Sequence, residues 1–184
     1  MAHSPVIETE RLQIVSCSER YLTARYVSWL NDPDVVRYSD QRHRKHTLES
    51  CREYLESFQG TPNYLWAIVV RDPQIGHIGT LTGYVDESHS VADLGIMIGE
   101  RQAWECGYGT EAWSAVCEYL FGELELRKIT AGAIAPNTPM LSLMVKTGMK
   151  EDGRRIRHGV WEGEEVDVIH MAKFRDEWMR RHRR

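Results

Sequence analysis

RQAWECGYGTEAW, residues 101–113, carries two glycines one residue apart, and an amphipathic stretch follows them at once. The apolar run VADLGIMIG at 91–99 precedes this segment and predicts a buried strand. From Tyr108 to Phe121 the apolar residues recur at intervals of three and four, which predicts a helix. A glycine-rich turn that leads into a helix presents consecutive backbone amides and the positive end of the helix dipole. The sequence therefore predicts a site for an anionic group, such as a pyrophosphate, at this turn.

The segments on either side of the turn predict a mixed α+β domain. Helices are indicated by apolar spacing and by caps, and strands by short apolar runs between turn residues. The predicted order is β-α-α-β-β-β-α-β-α-β-β, with the middle three strands forming an antiparallel meander. The predicted strands cover 11–17, 64–71, 76–85, 91–99, 127–135 and a final hairpin at 154–174, and the predicted helices cover 20–32, 47–58, 108–121 and 138–148.

The composition fits one globular domain over residues 1–184, with 42% hydrophobic and 27% charged residues. A net charge of −4 argues against general nucleic-acid binding. The start MAHSPVIETERL lacks the layout of a signal peptide, and we find no run of about 18 apolar residues, so a cytoplasmic protein without membrane contact is expected. The four cysteines show no metal-binding or disulfide spacing.

A dinucleotide site is the main competing interpretation of the turn. GYGTEA fits the pattern G-x-G-x-x-G/A, and Glu125 lies 18 residues after Gly107. A dinucleotide loop follows its strand directly, whereas ERQAWEC separates the predicted strand from Gly107. The surrounding order of elements therefore argues against an NAD-dependent oxidoreductase, although the pattern alone leaves that class open.

Two blocks of the sequence resemble the GNAT superfamily of acyl-CoA-dependent N-acetyltransferases. The first runs from Trp104 to Ala112 and is similar to the family's pyrophosphate-binding pattern. Its form, W-x-x-G-x-G-T-E-A, resembles the branch that contains ribosomal-protein N-terminal acetyltransferases. In the second block, AIAPNTPMLSLMVKTGMKEDG, Asn137 stands eleven residues before Gly148. The segments ETERLQIVSC and YVSWLNDPDVVRY also resemble this branch.

The resemblance implies a GNAT fold, a twisted and mostly antiparallel sheet flanked by helices, and acetyl-CoA as co-substrate. It implies a cleft beside the strand at 91–99, where the backbone near Met97 and Ile98 pairs with the pantetheine arm. Asn137 is expected to contact the coenzyme, and Lys146 is either a phosphate contact or a solvated lysine. The implied pyrophosphate contacts are Glu105, Cys106, Gly107, Tyr108, Gly109 and Thr110.

Acyl transfer to an amine needs a proton acceptor, an oxyanion donor and an acid for the leaving thiolate. Asp93 and Glu100 are candidate bases, with His43 and His46 also considered. Asp93 and Glu100 are seven residues apart and would face opposite sides of a continuous strand, so at most one enters the cleft. Asp93 matches the strand carboxylate of the resembling branch. Ser142 is the nearby hydroxyl for the acid role, because Met140 and Met144 stand where the family has Ser or Tyr.

The acceptor is expected near DQRHRKHT at 40–47, between the first two predicted helices. Arg42, His43 and His46 form either a clamp for an acidic acceptor or a solvated basic loop. A metal site is not expected here, because the adjacent Arg and Lys repel a cation and a third ligand is not evident. The C-terminal RRHRR at 180–184 is expected to be a solvated tail.

The predicted activity is direct transfer of acetyl from acetyl-CoA to a primary amine in a ternary complex. The acceptor is a small molecule or a peptide: a protein N-terminus, an amino sugar or a polyamine. The protein is expected to be a monomer or homodimer. An acyl-CoA-binding sensor without catalysis is the alternative, because the family's acid residues are missing.

Overall fold

An eight-stranded sheet runs through the computed structural model, which describes residues 5–182. The expected start of the chain and the predicted tail at 180–184 lie partly outside the described residues. The spatial order of the strands is β1-β2-β3-β4-β5-β6-β8-β7. The strands are β1 Ile7–Glu8, β2 Leu12–Ser16, β3 Tyr64–Val70, β4 His77–Asp86, β5 Val91–Ile98, β6 Lys128–Ile134, β7 Lys150–Trp161 and β8 Glu164–Phe174.

Six α-helices flank the sheet within residues 5–182, and side-chain caps begin several of them. Thr47 and Ser50 cap the start of α3, each side chain accepting a hydrogen bond from the other's backbone amide. Asn137 caps α5 by accepting from the Met140 amide. The helices are α1 Ala24–Leu30, α2 Pro33–Val36, α3 Leu48–Glu56, α4 Tyr108–Gly122, α5 Thr138–Lys146 and α6 Arg175–His182.

The predicted α+β order is confirmed, with three additions. The added elements are β1, α2 and α6, which the sequence did not predict because they are very short or carry a mostly polar sequence. The predicted helix at 20–32 is shorter than expected. α1 begins only at Ala24, because Thr23 is its N-cap and accepts a hydrogen bond from the Tyr26 amide. It ends at Leu30, because Asp32 and Pro33 begin the next helix.

One parallel pair of strands shapes the middle of the sheet. β5 and β6 pair in parallel over only three positions, the last of them Asp93↔Thr130, whereas the other neighbouring strands within residues 5–182 pair antiparallel. Beyond Asp93 the two strands have no further rungs in the described part of the chain. A cleft therefore opens between β5 and β6 toward their C-terminal ends.

Two apolar cores lie on opposite faces of this sheet. The larger one packs α4 and α5 against the strands and centres on Trp66, Trp113 and Phe121, all fully buried. The smaller one packs α1 and α3 against the other face and includes Trp29 and Phe58. The cleft between β5 and β6 thus lies between two packed layers.

None of the helices within residues 5–182 is long and apolar enough to cross a membrane.

Candidate active site

The glycine-rich turn starts α4 in a left-handed conformation. Gly107 has φ +82° and is the N-cap of the helix, and Glu105 just before it has φ +60°. The left-handed region suits glycine and strains other residues, so Gly107 fits its position and Glu105 is strained there. Gly107 has no side chain to cap the helix, so the first amides of α4 keep their hydrogen-bonding capacity. The turn can therefore bind an anion through its backbone.

Arg11 holds this turn against β2. Its Nε donates to Glu111 Oε2 over 2.7 Å, its Nη1 donates to the Cys106 carbonyl over 3.0 Å, and its guanidinium lies 4.6 Å from the centre of the Tyr108 ring. The Thr9 hydroxyl also donates to Glu111, over 2.6 Å. The sequence analysis missed Arg11, because it lies about a hundred residues before the turn and no local pattern marks it.

Glu111 is the ionised partner in this arrangement. Burial raises the pKa of its carboxyl, but hydrogen bonds from Thr9 and Arg11 outweigh burial and hold that pKa below its usual range. The carboxylate is therefore charged at neutral pH, and it fixes Arg11 beside the turn.

Backbone alternation decides which groups of β5 face the cleft. Ile98 lies opposite Gly79 on β4, and the amide of the next residue, Gly99, donates to the Ile78 carbonyl. In this antiparallel pattern Ile98 and Gly79 are a non-hydrogen-bonded pair, so the amide and carbonyl of Ile98 point away from β4. By alternation, the amide and carbonyl of Ile96 also point away from β4, whereas those of Met97 point toward β4. The cleft edge is therefore formed by the backbone of Ile96 and Ile98, whereas the side chain of Met97 packs into the smaller core.

Trp104 lies at the open end of this edge. Its indole Nε1 donates to the Ile98 carbonyl over 2.7 Å, and its side chain is partly exposed. The Arg101 guanidinium lies 5.8 Å from the centre of the Trp104 ring. Trp104 thus ties the glycine-rich turn to the end of β5 and uses one of the two cleft-facing groups of Ile98.

The helices α4 and α5 meet across the cleft at Gly109. A Cβ built on Gly109 would lie 3.5 Å from Leu143 Cδ1 and 3.6 Å from Ile98 Cγ1. Any longer side chain would therefore fill the space between β5, α4 and α5. Asn137 is half-buried at the start of α5, and Lys146 is exposed in its last turn.

The expected acid positions on α5 carry no suitable hydroxyl. Met144 is fully buried, and Ser142 is exposed on the helix surface. Neither the fold nor the described hydrogen bonds direct Ser142 to a particular partner.

Asp93 lies at the apex of the cleft, on the last parallel rung. Its Oδ1 accepts from the Thr130 hydroxyl over 2.6 Å, and its side chain is exposed. Thr130 also lines a pocket of about 360 Å³ together with His170, Asp152 and Gly153. The apex thus carries a carboxylate where the two strands separate.

His170 on β8 is a second titratable group beside this apex. Its ring packs on Gly132, with Nδ1 3.4 Å from the position of a Cβ built there, and its buried Nε2 has no hydrogen-bond partner among the described residues. The sequence analysis missed His170, because a single histidine on a strand gives no signal without its neighbours.

Glu100 lies beyond the end of β5 and is held by other groups. Arg25 donates to its carboxylate through Nε over 3.0 Å, and Glu100 caps a short 3-10 turn by accepting from the Gln102 amide. Burial raises its pKa, but the bonds from Arg25 and from the Gln102 amide outweigh burial and lower that pKa. The strand ends at Ile98, so the alternation argument, which assumed a continuous strand to Glu100, does not apply.

The predicted acceptor residues occupy two different environments. Arg42 and His43 line a pocket with Trp161 at the tip of the β7–β8 hairpin. The backbone of His46 instead bonds to the side-chain amide of Asn31: the His46 amide donates to Asn31 Oδ1 and Asn31 Nδ2 donates to the His46 carbonyl, each over 2.9 Å. The His46 Nε2 is buried without a partner in the described structure. The structure therefore brings Arg42 and His43 together and separates His46 from the lining of their pocket.

Two alternative sites find no support. Glu125, the acidic residue of the dinucleotide pattern, pairs with Arg175 over 2.6 Å. Within residues 5–182 no cluster of three or more His, Cys, Asp or Glu side chains could hold a metal ion.

Comparison with known proteins matches the chain to one family. The family model described as an acetyltransferase (GNAT) domain matches residues 11–150. The uncharacterized N-acetyltransferase YnaD of Bacillus subtilis is 25% identical over 175 residues, which cover 94% of this chain and 98% of that protein.

Solved structures share the fold at low sequence identity. Spermidine N-acetyltransferase from Vibrio cholerae, in complex with CoA and spermine, has a TM-score of 0.80 and 16% identity, and covers 93% of this chain and 99% of its own. Ribosomal-protein-S5-alanine acetyltransferase from Vibrio fischeri has a TM-score of 0.79 and 17% identity, with coverage of 95% and 99%.

Proposed function

The chain belongs to the GNAT acetyltransferase family, and from this we propose that it moves an acetyl group from acetyl-CoA directly to a primary amine. One observation carries the proposal: β5 and β6 separate after Asp93↔Thr130, and the opening leads to an uncapped helix start at Gly107. A free strand edge suits a chain of amides, and a helix N-terminus suits a pyrophosphate.

The residues present fit coenzyme A. The cleft-facing backbone of Ile96 and Ile98 would hold the pantetheine amides, and residues 105–110 would hold the pyrophosphate. Asn137 and Lys146 would contact the coenzyme from α5. When bound, acetyl-CoA supplies an activated thioester that an amine can attack.

Asp93 is the proton acceptor that we propose, with Thr130 as its positioning residue. The carboxylate lies at the apex, where the amine nitrogen must lose its proton to attack. His170 lines a pocket together with Thr130, the hydrogen-bond partner of Asp93, and is the second candidate for this proton. Amides of β5 in the cleft would stabilise negative charge on the acetyl oxygen.

Water, rather than a side chain, protonates the leaving thiolate in this proposal. Ser142 is exposed and Met144 is buried, so neither provides an acid in the cleft. A covalent route through Cys106 is not favoured, because its thiol contacts the Gln102 carbonyl at 3.6 Å and not a histidine.

The spermidine and ribosomal-protein acetyltransferases among the structural neighbours indicate how widely the acceptor varies on this fold. We propose a small-molecule or peptide amine for this chain: a protein N-terminus, an amino sugar or a polyamine. We also propose a cytoplasmic monomer or homodimer, in keeping with four free cysteines.

Two measurements test the proposal. Acetyl-CoA and CoA should each raise the melting temperature of the protein, and NAD and ATP should not. Release of CoA thiol is then followed with a panel of amines. A thermal shift without turnover of any amine would favour the alternative, an acyl-CoA-binding sensor, which the missing acid residues at Met140 and Met144 motivate. No shift with either coenzyme would refute the proposal.

A further inference from the structure

The segment between α2 and α3 is held against the tip of the β7–β8 hairpin. Arg42 Nη2 donates to the Val160 carbonyl over 3.1 Å, and Trp161 Nε1 donates to the Arg37 carbonyl over 3.0 Å. The rings of Tyr38 and Trp161 stack with centres 5.6 Å apart. These contacts join segments 118 and 124 positions apart in the chain, so the loop and the hairpin tip fix each other.

A pocket of about 580 Å³ lies between these two segments and the end of α1. Leu30 and Trp161 give it an apolar side. Its charged lining is unbalanced, with four cationic side chains against one carboxylate. These are Arg37, Arg42, Arg44 and Lys45 against Glu162.

The nearby carboxylates neutralise only part of this charge, since Asp40 pairs with Arg42 over 3.4 Å. Asp32 and Asp34 both pair with Arg101, outside the pocket. Arg44 and Lys45 are exposed and have no acidic partner within the part of the chain that the structure describes. The chain as a whole has a net charge of −4, so the excess of cations belongs to this pocket and not to the overall composition. Such a pocket attracts an anionic group.

Packing contacts connect the walls of the pocket with the two cleft strands. Leu30 lies in the same apolar cluster as Met97, on β5. On the other side, a Cβ built on Gly159 would lie 3.6 Å from Ile134 Cγ2, at the end of β6. The elements that line the pocket therefore pack toward the ends of both cleft strands, α1 toward β5 and β7 toward β6.

We propose that this pocket binds the anionic part of the acceptor, and that the acceptor is a primary amine carrying a phosphate or a carboxylate. The inference rests on the proposed acetyltransferase function and selects among its acceptors. A sugar phosphate and an acidic N-terminal peptide share the chemistry that the pocket recognises. A polyamine is repelled by Arg44 and Lys45.

Matched acceptors test the charge preference. Glucosamine 6-phosphate is compared with glucosamine, the dipeptide Ala-Asp with Ala-Lys amide, and spermidine is included as the cationic acceptor. We expect kcat/KM to be about tenfold or more higher for the anionic member of at least one pair, since one charge-assisted hydrogen bond is worth about that factor. The pair that responds identifies the source of the anion.

A double variant and a matched control locate the preference. Arg44→Glu with Lys45→Glu should lower kcat/KM for the preferred anionic acceptor about a hundredfold and remove its salt sensitivity. Lys150→Glu with Arg180→Glu makes the same change in net charge at exposed residues on β7 and α6, and should leave the preference intact.

Binding is measured beside turnover so that the two proposals fail separately. If calorimetry shows no binding of either anionic acceptor, or if neutral or cationic amines are preferred and the double variant changes nothing, the pocket assignment is wrong while the acetyltransferase function stands. Loss of the acetyl-CoA thermal shift in the double variant would assign the pocket to the coenzyme and also overturn the inference. Binding without turnover of any amine would support the pocket and count against the acetyltransferase function.

Discussion

The two halves of the sheet differ in how they are covered. The β2–β5 half is buried on both faces, by α4 and α5 on one side and by α1 and α3 on the other. In the other half, β7 is exposed along most of its length. The covered half offers a rigid backbone edge at Ile96 and Ile98, whereas the open half offers side chains such as His170 and Trp161. Under the proposed function, the coenzyme would be recognised by backbone geometry and the acceptor by side-chain chemistry.

The largest expected effect comes from closing the backbone site. Gly109→Trp should abolish the thermal shift with acetyl-CoA and all acetyl transfer, because the ring would occupy the space beside Leu143 and Ile98. Gly122→Ala, at the other end of α4, should keep both. A Gly109→Trp protein that still binds acetyl-CoA would show that the cleft is not the coenzyme site.

The next effect concerns the apex between the two halves. Asp93→Asn should lower kcat by about 10²-fold or more, with the acetyl-CoA thermal shift unchanged, because the amide cannot accept the proton. His170→Gln provides the comparison. If His170→Gln lowers kcat and removes the acidic limb of the pH profile while Asp93→Asn does not, the proton acceptor lies on the open half of the sheet.

Acidification should destabilise the fold at His77, which packs against the smaller core. Burial among Tyr21, Tyr26 and Trp29 lowers the pKa of His77 to about 4. Because the pKa of His77 is lower in the folded state than in the unfolded state, burying the neutral ring stabilises the fold fully above about pH 6.5. That stabilisation is lost as the pH falls toward about 4. The loss is about 3 kcal/mol, to be measured by urea unfolding between these pH values. His77→Phe should flatten that pH dependence, and an unchanged slope would contradict the assignment.

The smallest effect is expected at the Arg11–Glu111 pair. Glu111→Gln should lower the free energy of unfolding by about 1 kcal/mol at pH 7, since the pair is partly exposed. Because the pKa of Glu111 is lowered in the folded state, its carboxylate stabilises the fold at pH values above its unfolded-state pKa. This stabilisation is lost as the pH falls through its folded-state pKa. The difference between the two proteins should therefore shrink on acidification. Glu49→Gln, at an exposed position of α3, is the control with little expected change.

The sequence predicted those features that depend on local chemistry. The turn at Gly107 and the cap formed by Thr47 and Ser50 are visible in a few consecutive residues. The role of Arg11 and the pocket at Trp161 depend on contacts over about a hundred residues, which no local pattern encodes. The alternation argument for Glu100 does not apply for a third reason: β5 ends at Ile98, before Glu100.

The three-rung joint between β5 and β6 also has a dynamic consequence. Few backbone bonds hold the two halves of the sheet together, so small opening motions about Asp93 and Thr130 cost little. A ligand that lies along both strands acts as additional rungs. Hydrogen exchange of the amides of β6 should therefore slow when the coenzyme binds, even far from the groups it touches, and the whole sheet should then move as one body.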